Sequence, residues 1–319
     1  MKIILVLLLL STHAFPAKIK LATLVPKGTN WAKTLKEMEQ EVKKKTNGDV
    51  KFKIYYGGVQ GDEPDVLRKT KIGQVHGGIF TGKTLGDIFA DVRAIEIPFN
   101  YYHDEEKAMQ ALSDNKEYFD SHLKKNGYIN LGFYGIGKVY VVTTKKVSSL
   151  EEMKGMKMWA WEGDPIIAAM MDSLGLVSVP LALPDVLSSL STGMIDAAYA
   201  PPLGILALQW QSKIKYLIDF PTAYTIGAFL ISEKKWKKIK PEHQKVIREV
   251  AAKSIAEANK LAKLDNEKAI AQLKKLGVEF VEFNKEDLAQ AENMRKNVIS
   301  KIESKVLTPK IIESINKTR

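Results

Sequence analysis

A run of glycines followed by a lysine and a threonine is the sharpest chemical motif in the sequence. Residues 77–84, GGIFTGKT, fit the phosphate-loop pattern G-x-x-x-x-G-K-[ST] letter for letter. A phosphate loop follows a buried strand and opens a helix at its lysine. Here residues 71–76 are polar, and Ile79 and Phe80 themselves have the character of the strand. We therefore predict a strand-end turn whose glycines bring the backbone close to a ligand, and no nucleotide site.

Carboxylates cluster at residues 62–65 and 104–106, where they could supply the acid and base of a hydrolase. Both clusters lie where a helix is expected to begin, and negative charge there is stabilised by the helix dipole. We interpret them as helix caps. The five histidines lack metal-ligand spacing, there is no cysteine, and no G-x-S-x-G nucleophile motif occurs. The sequence thus predicts no metal site, no cofactor and no enzymatic activity.

Two tryptophans occupy alternate positions of one predicted strand, residues 156–161. Trp159 and Trp161 therefore share a face, and the strand ends beside a helix start at Asp164-Pro165. Tryptophans in this position either join the core or wall a cleft. Pro201-Pro202 follows the predicted strand 195–200 and would add a rigid wall with few hydrogen-bond donors.

The elements that must position these residues alternate between strands and helices. A strand over residues 18–24, a helix capped by Asn30 and a strand over residues 50–56 begin the pattern, which predicts a largely parallel sheet covered by helices. Ligands of such sheets bind at the carboxyl ends of the strands. Strands near 130–134 and 139–144 are separated by a predicted turn at Gly135-Ile136-Gly137. The helical pattern from Pro241 to about Leu276 is long enough to lie across two lobes.

The length of 319 residues and 45% hydrophobic content favour two domains. The predicted fold is α/β, with two lobes and a long helix spanning both lobes. Lobe I with the spanning helix comprises residues 18–143 plus 228–275, and lobe II comprises residues 144–227. Residues 276–319 form a C-terminal strand and helices packed on the lobes. Extended strands near 139–144 and 226–232 are expected to join the lobes.

Residues 1–17 have the pattern of a secretory signal peptide, in which a lysine precedes an apolar run and small residues. The apolar run is short of the roughly 20 residues needed to cross a bilayer. We expect an exported, soluble protein. The sequence leaves two cleavage sites open, after Ala14 and after Ala17. The net charge of +11 is spread over lysines on helix exteriors, so we expect no nucleic-acid partner.

Five stretches of the chain resemble the TRAP-transporter periplasmic solute-binding proteins, the dicarboxylate-binding DctP-like family. They are residues 21–31 (LATLVPKGTNW), 56–63 (YGGVQGDE), 97–99 (IPF), 150–158 (LEEMKGMKM) and 190–196 (LSTGMID). The resemblance covers nearly the whole chain after the signal segment. It implies a periplasmic receptor with a two-lobed periplasmic-binding-protein fold (type II-like), which closes on a small molecule and delivers it to the membrane subunits of a TRAP permease.

Two departures from the family pattern bear on the ligand. Most dicarboxylate-type members carry an arginine that grips the substrate carboxylate at the position of Trp159, and an asparagine at the position of Ala200. An indole cannot replace the bidentate guanidinium. The tryptophan pattern resembles a subgroup associated with tetratricopeptide-repeat partner proteins, which adds such an accessory protein as a candidate partner. We therefore expect a largely apolar ligand.

The expected ligand-binding residues come from both lobes and the hinge. They are Thr29, Asn30, Phe80 and Thr81 in the first lobe, Trp159, Trp161, Ala200, Pro201, Pro202 and Leu203 in the second, and Tyr134 and Tyr224 beside the hinge. The main alternative is a conventional organic-acid receptor whose cationic anchor has moved to Arg93, Lys83 or Lys138. A secreted enzyme and an interaction subunit without ligand are further alternatives.

Overall fold

The computed structural model describes residues 17–319, so residues 1–16 of the predicted signal peptide lie outside the described part of the chain. The strands are β1 Ala17–Thr23, β2 Val50–Tyr55, β3 Gly77–Thr81, β4 Tyr128–Thr143, β5 Lys157–Ala160, β6 Val177–Pro180, β7 Ala197–Ala200, β8 Tyr216–Ile218, β9 Ala223–Ser232 and β10 Glu279–Val281. The helices are α1 Asn30–Lys45, α2 Glu63–Lys71, α3 Gly82–Ile88, α4 Glu105–Asp114, α5 Lys116–Lys125, α6 Leu150–Met153, α7 Pro165–Ser173, α8 Val186–Thr192, α9 Pro202–Ala207, α10 Glu233–Trp236, α11 Pro241–Lys275, α12 Lys285–Ala289, α13 Ala291–Ile302 and α14 Pro309–Lys317.

The sheet is parallel within each lobe and antiparallel where the lobes meet. Its strand order is β2-β1-β3-β9-β4-β7-β5-β6, with β8 beside β4 and β10 beside β8. Strand β1 pairs in parallel with β2 and β3, and β5 pairs in parallel with β6 and β7. The long antiparallel pair β4-β9 lies between these groups. The two-lobed α/β architecture expected from the alternating pattern is confirmed.

Strand β4 runs without interruption from one lobe into the other. It pairs with β9 up to Val139 and with β7 from Tyr140 onwards. The predicted turn at Gly135-Ile136-Gly137 is therefore wrong, because this segment stays in the ladder and forms an irregularity in register. A bulge inserts a residue and bends the strand without ending it, which explains why paired glycines imitate a turn in the sequence.

The phosphate-loop motif folds differently from both a phosphate loop and the predicted turn. Residues 77–81 are strand β3 throughout, and helix α3 begins directly at Gly82. The strand thus occupies the positions that would form the phosphate-binding loop. The Lys83 ammonium lies 2.7 Å from the Asp87 carboxylate one helical turn later. These residues offer no cradle for a phosphate, and the prediction of a strand-end turn was also wrong.

The helices begin at capping residues, and one predicted cap, Asn30, was wrong. Asp62 caps α2, Asp164 caps α7 and Asn284 caps α12, each through a side-chain oxygen that accepts a backbone N–H. Helix α1 is capped by Thr29, whose hydroxyl accepts from Ala32 N, and not by Asn30. The Asn30 amide instead donates to Asp265 on α11, at 2.9 Å. Helix α1 therefore begins at Asn30, one residue earlier than the cap prediction implied.

Helix α11 spans the lobes as predicted, since it packs against α1 in the first lobe and against α9 in the second. The C-terminal helices add a second bridge, because α13 packs on α7 while α14 packs on the 3₁₀ segment Ala90–Glu96. The last helix buries Ile311, Ile312 and Ile315. Within residues 17–319, no helix combines the length and apolarity that a membrane span requires.

Candidate functional site

A cavity of about 230 Å³ lies between the lobes, at the carboxyl ends of β1, β3, β5 and β7. Parallel strands of both lobes point their carboxyl ends at this space, as the strand-end rule for α/β sheets predicts. First-lobe side chains such as Leu24, Pro26 and Trp31 face the second-lobe tryptophans across it.

Four aromatic side chains form the second-lobe side of the cavity, and we call Trp159, Trp161, Tyr199 and Trp210 the aromatic wall. The Trp159 indole stacks on Tyr199 with ring centroids 4.9 Å apart and meets Trp161 and Trp210 edge to face. Its Nε1 donates to Leu181 O at 3.0 Å. Aromatic pairs in these geometries add about 0.5–1.5 kcal/mol each beyond burial, so the wall is both rigid and apolar.

Three buried charged residues border the same cavity, and we call Arg93, Glu96 and Asp164 the ionic cluster. Arg93 Nη1 donates to Asp164 Oδ2 at 3.0 Å. Arg93 Nε lies 2.7 Å from Glu96 Oε2, but its N–H is poorly aligned, so this contact is an ion pair rather than a hydrogen bond. Glu96 Oε1 also accepts from Thr225 Oγ1 and Ile226 N. Both carboxylates of the cluster are thus committed to protein partners.

The pKa values within the ionic cluster reflect burial opposed by pairing. Burial acts to lower the pKa of Arg93, but Asp164 and Glu96 raise it overall, so the guanidinium stays charged. Burial raises the pKa of Glu96, although Arg93 and the hydrogen bond from Thr225 oppose the rise. Gly82 permits this packing, because a Cβ at that position would lie 2.3 Å from the Glu96 carboxylate.

Glu63 is a further buried carboxylate at the cavity, and no cation is paired with it in residues 17–319. It accepts from Thr81 N at 2.9 Å and from the hydroxyls of Thr81 and Thr84. Burial raises the pKa of Glu63 to about 7, against the lowering effect of these hydrogen bonds. The sequence placed Glu63 among helix-capping acids. Asp62 is the cap, whereas Glu63 turns inward.

The cations proposed as relocated carboxylate anchors are all engaged elsewhere. Arg93 pairs with two carboxylates, and the buried Lys83 pairs with Asp87. Lys138 donates to His103 O at 3.0 Å and lies at a separate, more polar cavity behind the hinge. Among the described residues that line the interlobe cavity, Arg93 and Lys83 are the two Lys or Arg side chains, and each has a carboxylate partner.

Hydrogen bonds across the cavity join the two lobes. Asp62 Oδ1 accepts from Glu63 N as a helix cap, while Asp62 Oδ2 accepts from Trp161 Nε1 at 3.3 Å and from Leu183 N at 3.1 Å. The Arg93–Asp164 pair makes a second link between segments 71 positions apart. On the hinge side, Asn266 of α11 accepts from Leu203 N. The two lobes are therefore held together on several sides of the cavity.

Half of the side chains predicted to bind ligand line this cavity and half lie elsewhere. Thr81, Tyr134, Trp159, Trp161, Ala200 and Pro201 line it. The other six lie outside it. Thr29 and Asn30 lie at the start of α1, and Phe80 is in the core. Leu203 lines a smaller pocket, and Pro202 and Tyr224 line the cavity behind the hinge. Contact with a ligand stays a prediction for all twelve.

Sequence reasoning missed several residues that border the cavity. Tyr199 lies one position before Ala200 on β7, and only the pairing of this strand with its neighbours brings its ring against Trp159. Trp210 comes from a short 3₁₀ segment, Trp210–Ser212, which carries no strand or helix signal. Trp31, in the first turn of α1, lines the cavity as well, and its ring centroid lies 4.7 Å from that of Tyr134.

The arrangement can hold a small molecule but shows no reactive set. Within residues 17–319, no group of three His, Asp or Glu side chains is close enough to hold a metal ion. The hydroxyls and carboxylates at the cavity bond to one another, to Arg93 or to backbone groups, with the hydroxyl of Tyr199 as an exception. The geometry supports binding by enclosure and packing.

Comparisons with known proteins agree with this description. The family model for DctP, bacterial extracellular solute-binding protein, family 7, matches residues 21–305. The C4-dicarboxylate-binding periplasmic protein DctP of Rhodobacter capsulatus is 23% identical over 88% of this chain and 85% of its own. A solute-binding protein of Chromohalobacter salexigens is 29% identical over 52% of this chain, a match that spans only 49% of that relative.

Solved structures of similar fold include receptors with sugar acids. The sugar acid binding protein DctPAm from Advenella mimigardefordensis, in complex with galactonate, superposes with a TM-score of 0.87 at 19% identity, over 96% of this chain and 99% of its own. A TRAP periplasmic solute-binding protein from Citrobacter koseri, with bound D-glucuronate, superposes with a TM-score of 0.84 at 25% identity. The superposition covers 95% of this chain and 99% of that protein.

Proposed function

The chain belongs to family 7 of the bacterial extracellular solute-binding proteins, the DctP family, and from this premise we propose that its ligand is a small, largely apolar molecule. The family is one of periplasmic receptors of TRAP transporters, which bind solutes and are not enzymes. The class of ligand and the delivery of that ligand to a membrane permease are the parts that we propose for this chain.

One observation carries the ligand proposal: the cavity is bordered by an aromatic wall, and its cations are already neutralised. A ligand carboxylate desolvated in this space needs a cationic partner to offset the loss of water. Arg93 and Lys83 are each paired with protein carboxylates. Trp159 stands where the dicarboxylate-type members carry their arginine, and its indole is stacked on Tyr199. Apolar packing is therefore the main source of affinity available.

The organic-acid receptor is the main alternative, and it draws support from the sugar acids bound by proteins of similar fold. An acid would have to separate Arg93 from Asp164 or Glu96, or recruit Lys138 from behind the hinge. Removing one partner of a buried ion pair is costly, about 3–5 kcal/mol. A receptor that holds no ligand is disfavoured by the open cavity of about 230 Å³.

Extraction and calorimetry separate these alternatives. We expect mass spectrometry of gently purified protein to recover an apolar or amphipathic compound, and titration with D-glucuronate to give no measurable heat. Lys138→Met serves as a control for a relocated anchor. Recovery of small carboxylic acids alone, bound equally well after Trp159→Ala, would contradict the apolar proposal. If Lys138→Met abolished glucuronate binding, the relocated-anchor alternative would be established.

The proposed partners follow from the family and from the sequence subgroup. We propose delivery to the membrane subunits of a TRAP permease, with a tetratricopeptide-repeat protein as accessory partner. Reconstituted permease should take up the extracted compound only when this receptor is present. Uptake at the same rate without the receptor would contradict the delivery role. Cross-linking between receptor and accessory protein tests the second partner separately.

A further inference from the structure

A second cavity, of about 350 Å³, lies behind the hinge, on the opposite face of the strands that border the interlobe cavity. Successive side chains of a strand alternate between its two faces. On β4 and β9, Val139 and Ala223 line the interlobe cavity, whereas Tyr140 and Tyr224 line the cavity behind the hinge. The same two strands therefore border both cavities, and the proposed receptor function leaves the second one unused.

Tyr224 brings an unpartnered hydroxyl to the cavity behind the hinge. The residue is only 6% exposed, and its hydroxyl makes no hydrogen bond in the described part of the chain. The Tyr199 hydroxyl is sealed off by its neighbours, whereas the Tyr224 hydroxyl keeps accessible surface. Burial and the nearby Glu105 raise the pKa of Tyr224, so the hydroxyl keeps its proton and is free to donate and to accept. Buried hydroxyls are normally satisfied, and here the cavity has room for the partner.

The G-I-G segment at residues 135–137 makes room for this hydroxyl and for helix α11. A Cβ at Gly135 would lie 2.1 Å from the Tyr224 hydroxyl oxygen, and a Cβ at Gly137 would lie 2.7 Å from Asn266 Nδ2. Asn266 of α11 also donates to Ile136 O at 2.9 Å, which holds the helix against the bulged strand. The segment that imitates a turn in the sequence thus borders this cavity.

Carboxylates outnumber ammonium groups around the cavity behind the hinge by four to two. Three of the carboxylates lie at the start of α4, where Asp104 serves as the helix cap, and the fourth is Glu267 of α11. Within residues 17–319, Glu106 and Glu267 make no ion pair. An excess of one sign of charge in a concave site attracts ligands of the opposite sign, so this cavity favours a cation.

Lys263 shows that an ammonium group is stabilised at this place. Its Nζ lies 3.2 Å from Glu105 Oε1, and the carboxylates of Glu105, Glu267 and Glu106 all raise the pKa of Lys263. This lysine is exposed, and exposed ion pairs are weak, so a ligand can take its place. Among the described residues, the carboxylates are not gathered closely enough to hold a metal ion. An organic ammonium group can donate to them through separate N–H bonds.

We infer that the cavity behind the hinge is a second binding site, which takes a small organic ammonium ion such as a short diamine. One end of the molecule pairs with the carboxylates of α4 and α11, and the other end forms a hydrogen bond with the Tyr224 hydroxyl. Lys138 also lines the cavity, but it donates to His103 O and leaves Glu106 and Glu267 to the ligand. This site goes beyond the receptor function and does not depend on what the interlobe cavity holds.

Three probes of equal chain length test the inference by titration calorimetry at neutral pH and low salt. They are 1,4-diaminobutane, 1,4-butanediol and succinate, whose ends are cationic, neutral and anionic. Binding is measured for the wild type and for Glu267→Gln, Tyr224→Phe and Lys263→Met. The matched controls are Glu257→Gln and Lys245→Met, because both residues are exposed on α11 and line neither cavity.

We expect the wild type to bind 1,4-diaminobutane and to prefer it to both other probes. Glu267→Gln should weaken this binding about threefold to fivefold, as for a partly exposed ion pair. Tyr224→Phe should weaken it about threefold to tenfold, the range of one hydrogen bond. Lys263→Met should strengthen it about threefold, because the variant removes the competing ammonium group. Both controls should change it by less than about twofold.

A preference of the wild type for 1,4-butanediol would overturn the inference, and so would equal losses of diamine affinity in Glu267→Gln and Glu257→Gln. Weaker diamine binding in Lys263→Met would also overturn it, because the lysine would then not compete with the ligand. These three results leave the proposed receptor function standing. A preference for succinate that persists in every variant would overturn the second site and would support the organic-acid alternative at the interlobe cavity.

Discussion

The aromatic wall and the ionic cluster border the same cavity but are stabilised in opposite ways. The wall packs rings at centroid distances of 4.9–5.6 Å, and the surface that it presents to the cavity is mostly carbon. The cluster holds three ionisable groups that are each at most 6% exposed. Its charges face one another rather than the cavity. One region is thus available for a ligand, and the other is occupied by its own contacts.

This difference teaches that a charged residue at a binding cavity need not recognise a charged ligand. Arg93 lines the cavity, yet its guanidinium is the counterion that allows Asp164 to cap α7 while buried. A buried ion pair is weak evidence for stability, but losing one partner leaves an uncompensated charge. We therefore infer that the cluster is a structural support, whereas the wall is the surface that we propose for the ligand.

Arg93→Met tests this structural role and has the largest expected effect. It leaves Asp164 and Glu96 buried without a cation, so we expect a loss of about 3–5 kcal/mol in the free energy of unfolding. Urea denaturation at neutral pH measures it. Restoring neutrality with Glu96→Gln and Asp164→Asn in the same chain should recover part of the loss, because asparagine also caps helices well.

The control for Arg93→Met is an exposed pair of the same kind. Lys154→Met removes the partner of Glu151 at the surface, where such pairs contribute about 0–1 kcal/mol. Equal losses for Lys154→Met and Arg93→Met would show that burial does not distinguish the cluster. Preserved stability in Arg93→Met, together with lost affinity for D-glucuronate, would instead make Arg93 an anchor for acids.

Glu63→Gln tests the cavity carboxylate that has no cation partner within residues 17–319. Its pKa of about 7 exceeds the ordinary 4.5, so the folded state binds a proton that the unfolded state has released between these pH values. Stability of the wild type should therefore fall as pH rises from about 4.5 to 7, by up to about 3 kcal/mol. Thermal unfolding at pH 5 and pH 8 measures the fall, which Glu63→Gln should reduce.

The matched control for Glu63→Gln is Glu257→Gln, because Glu257 is exposed on α11. Its pH profile should follow the wild type. Other buried groups are common to all three proteins, so the difference between their profiles isolates Glu63. Identical profiles for Glu63→Gln and the wild type would mean that the folded state does not protonate Glu63 between pH 5 and pH 8, contrary to the expectation.

Local signals in the sequence predicted the elements around the wall well. The Asp164-Pro165 start of α7 and the spanning helix both follow from caps, prolines and periodicity. The shared face of Trp159 and Trp161 follows from strand alternation, and their rings do lie 5.0 Å apart. These features depend on residues close in sequence, which is why a single sequence was sufficient.

The ionic cluster could not be predicted, because its members come from distant segments. Arg93 and Asp164 are 71 positions apart, and their pairing requires both lobes in place. Glu63 follows the capping Asp62 directly, so in the sequence it looks like a second acidic residue at the start of α2. Its burial depends on the packing of α2 against β3 and α3, where Thr81 and Thr84 supply the hydroxyls. Tertiary contacts of this kind leave no periodic signal.

Asp62→Asn has the smallest expected effect. It tests whether the contact between the aromatic wall and Asp62 helps to hold the lobes closed. Trp161 is the one member of the wall whose indole nitrogen crosses the cavity, and it donates to Asp62 Oδ2 together with Leu183 N. The other oxygen of Asp62 caps α2. An asparagine has one oxygen and one NH₂ group. If the oxygen keeps the cap, the NH₂ faces two donors, and both links between the lobes are lost.

We therefore expect Asp62→Asn to keep the stability of α2, since asparagine is as good a cap as aspartate, but to loosen the closed form. Two lost hydrogen bonds to a carboxylate should raise the dissociation rate of the compound recovered by extraction about tenfold, with a small increase in radius of gyration by X-ray scattering. Asp104→Asn, which changes the cap of α4 outside the cavity, should alter neither quantity. An unchanged dissociation rate in Asp62→Asn would assign closure to the Arg93–Asp164 pair, and the ionic cluster would then have a role in binding that its static contacts do not require.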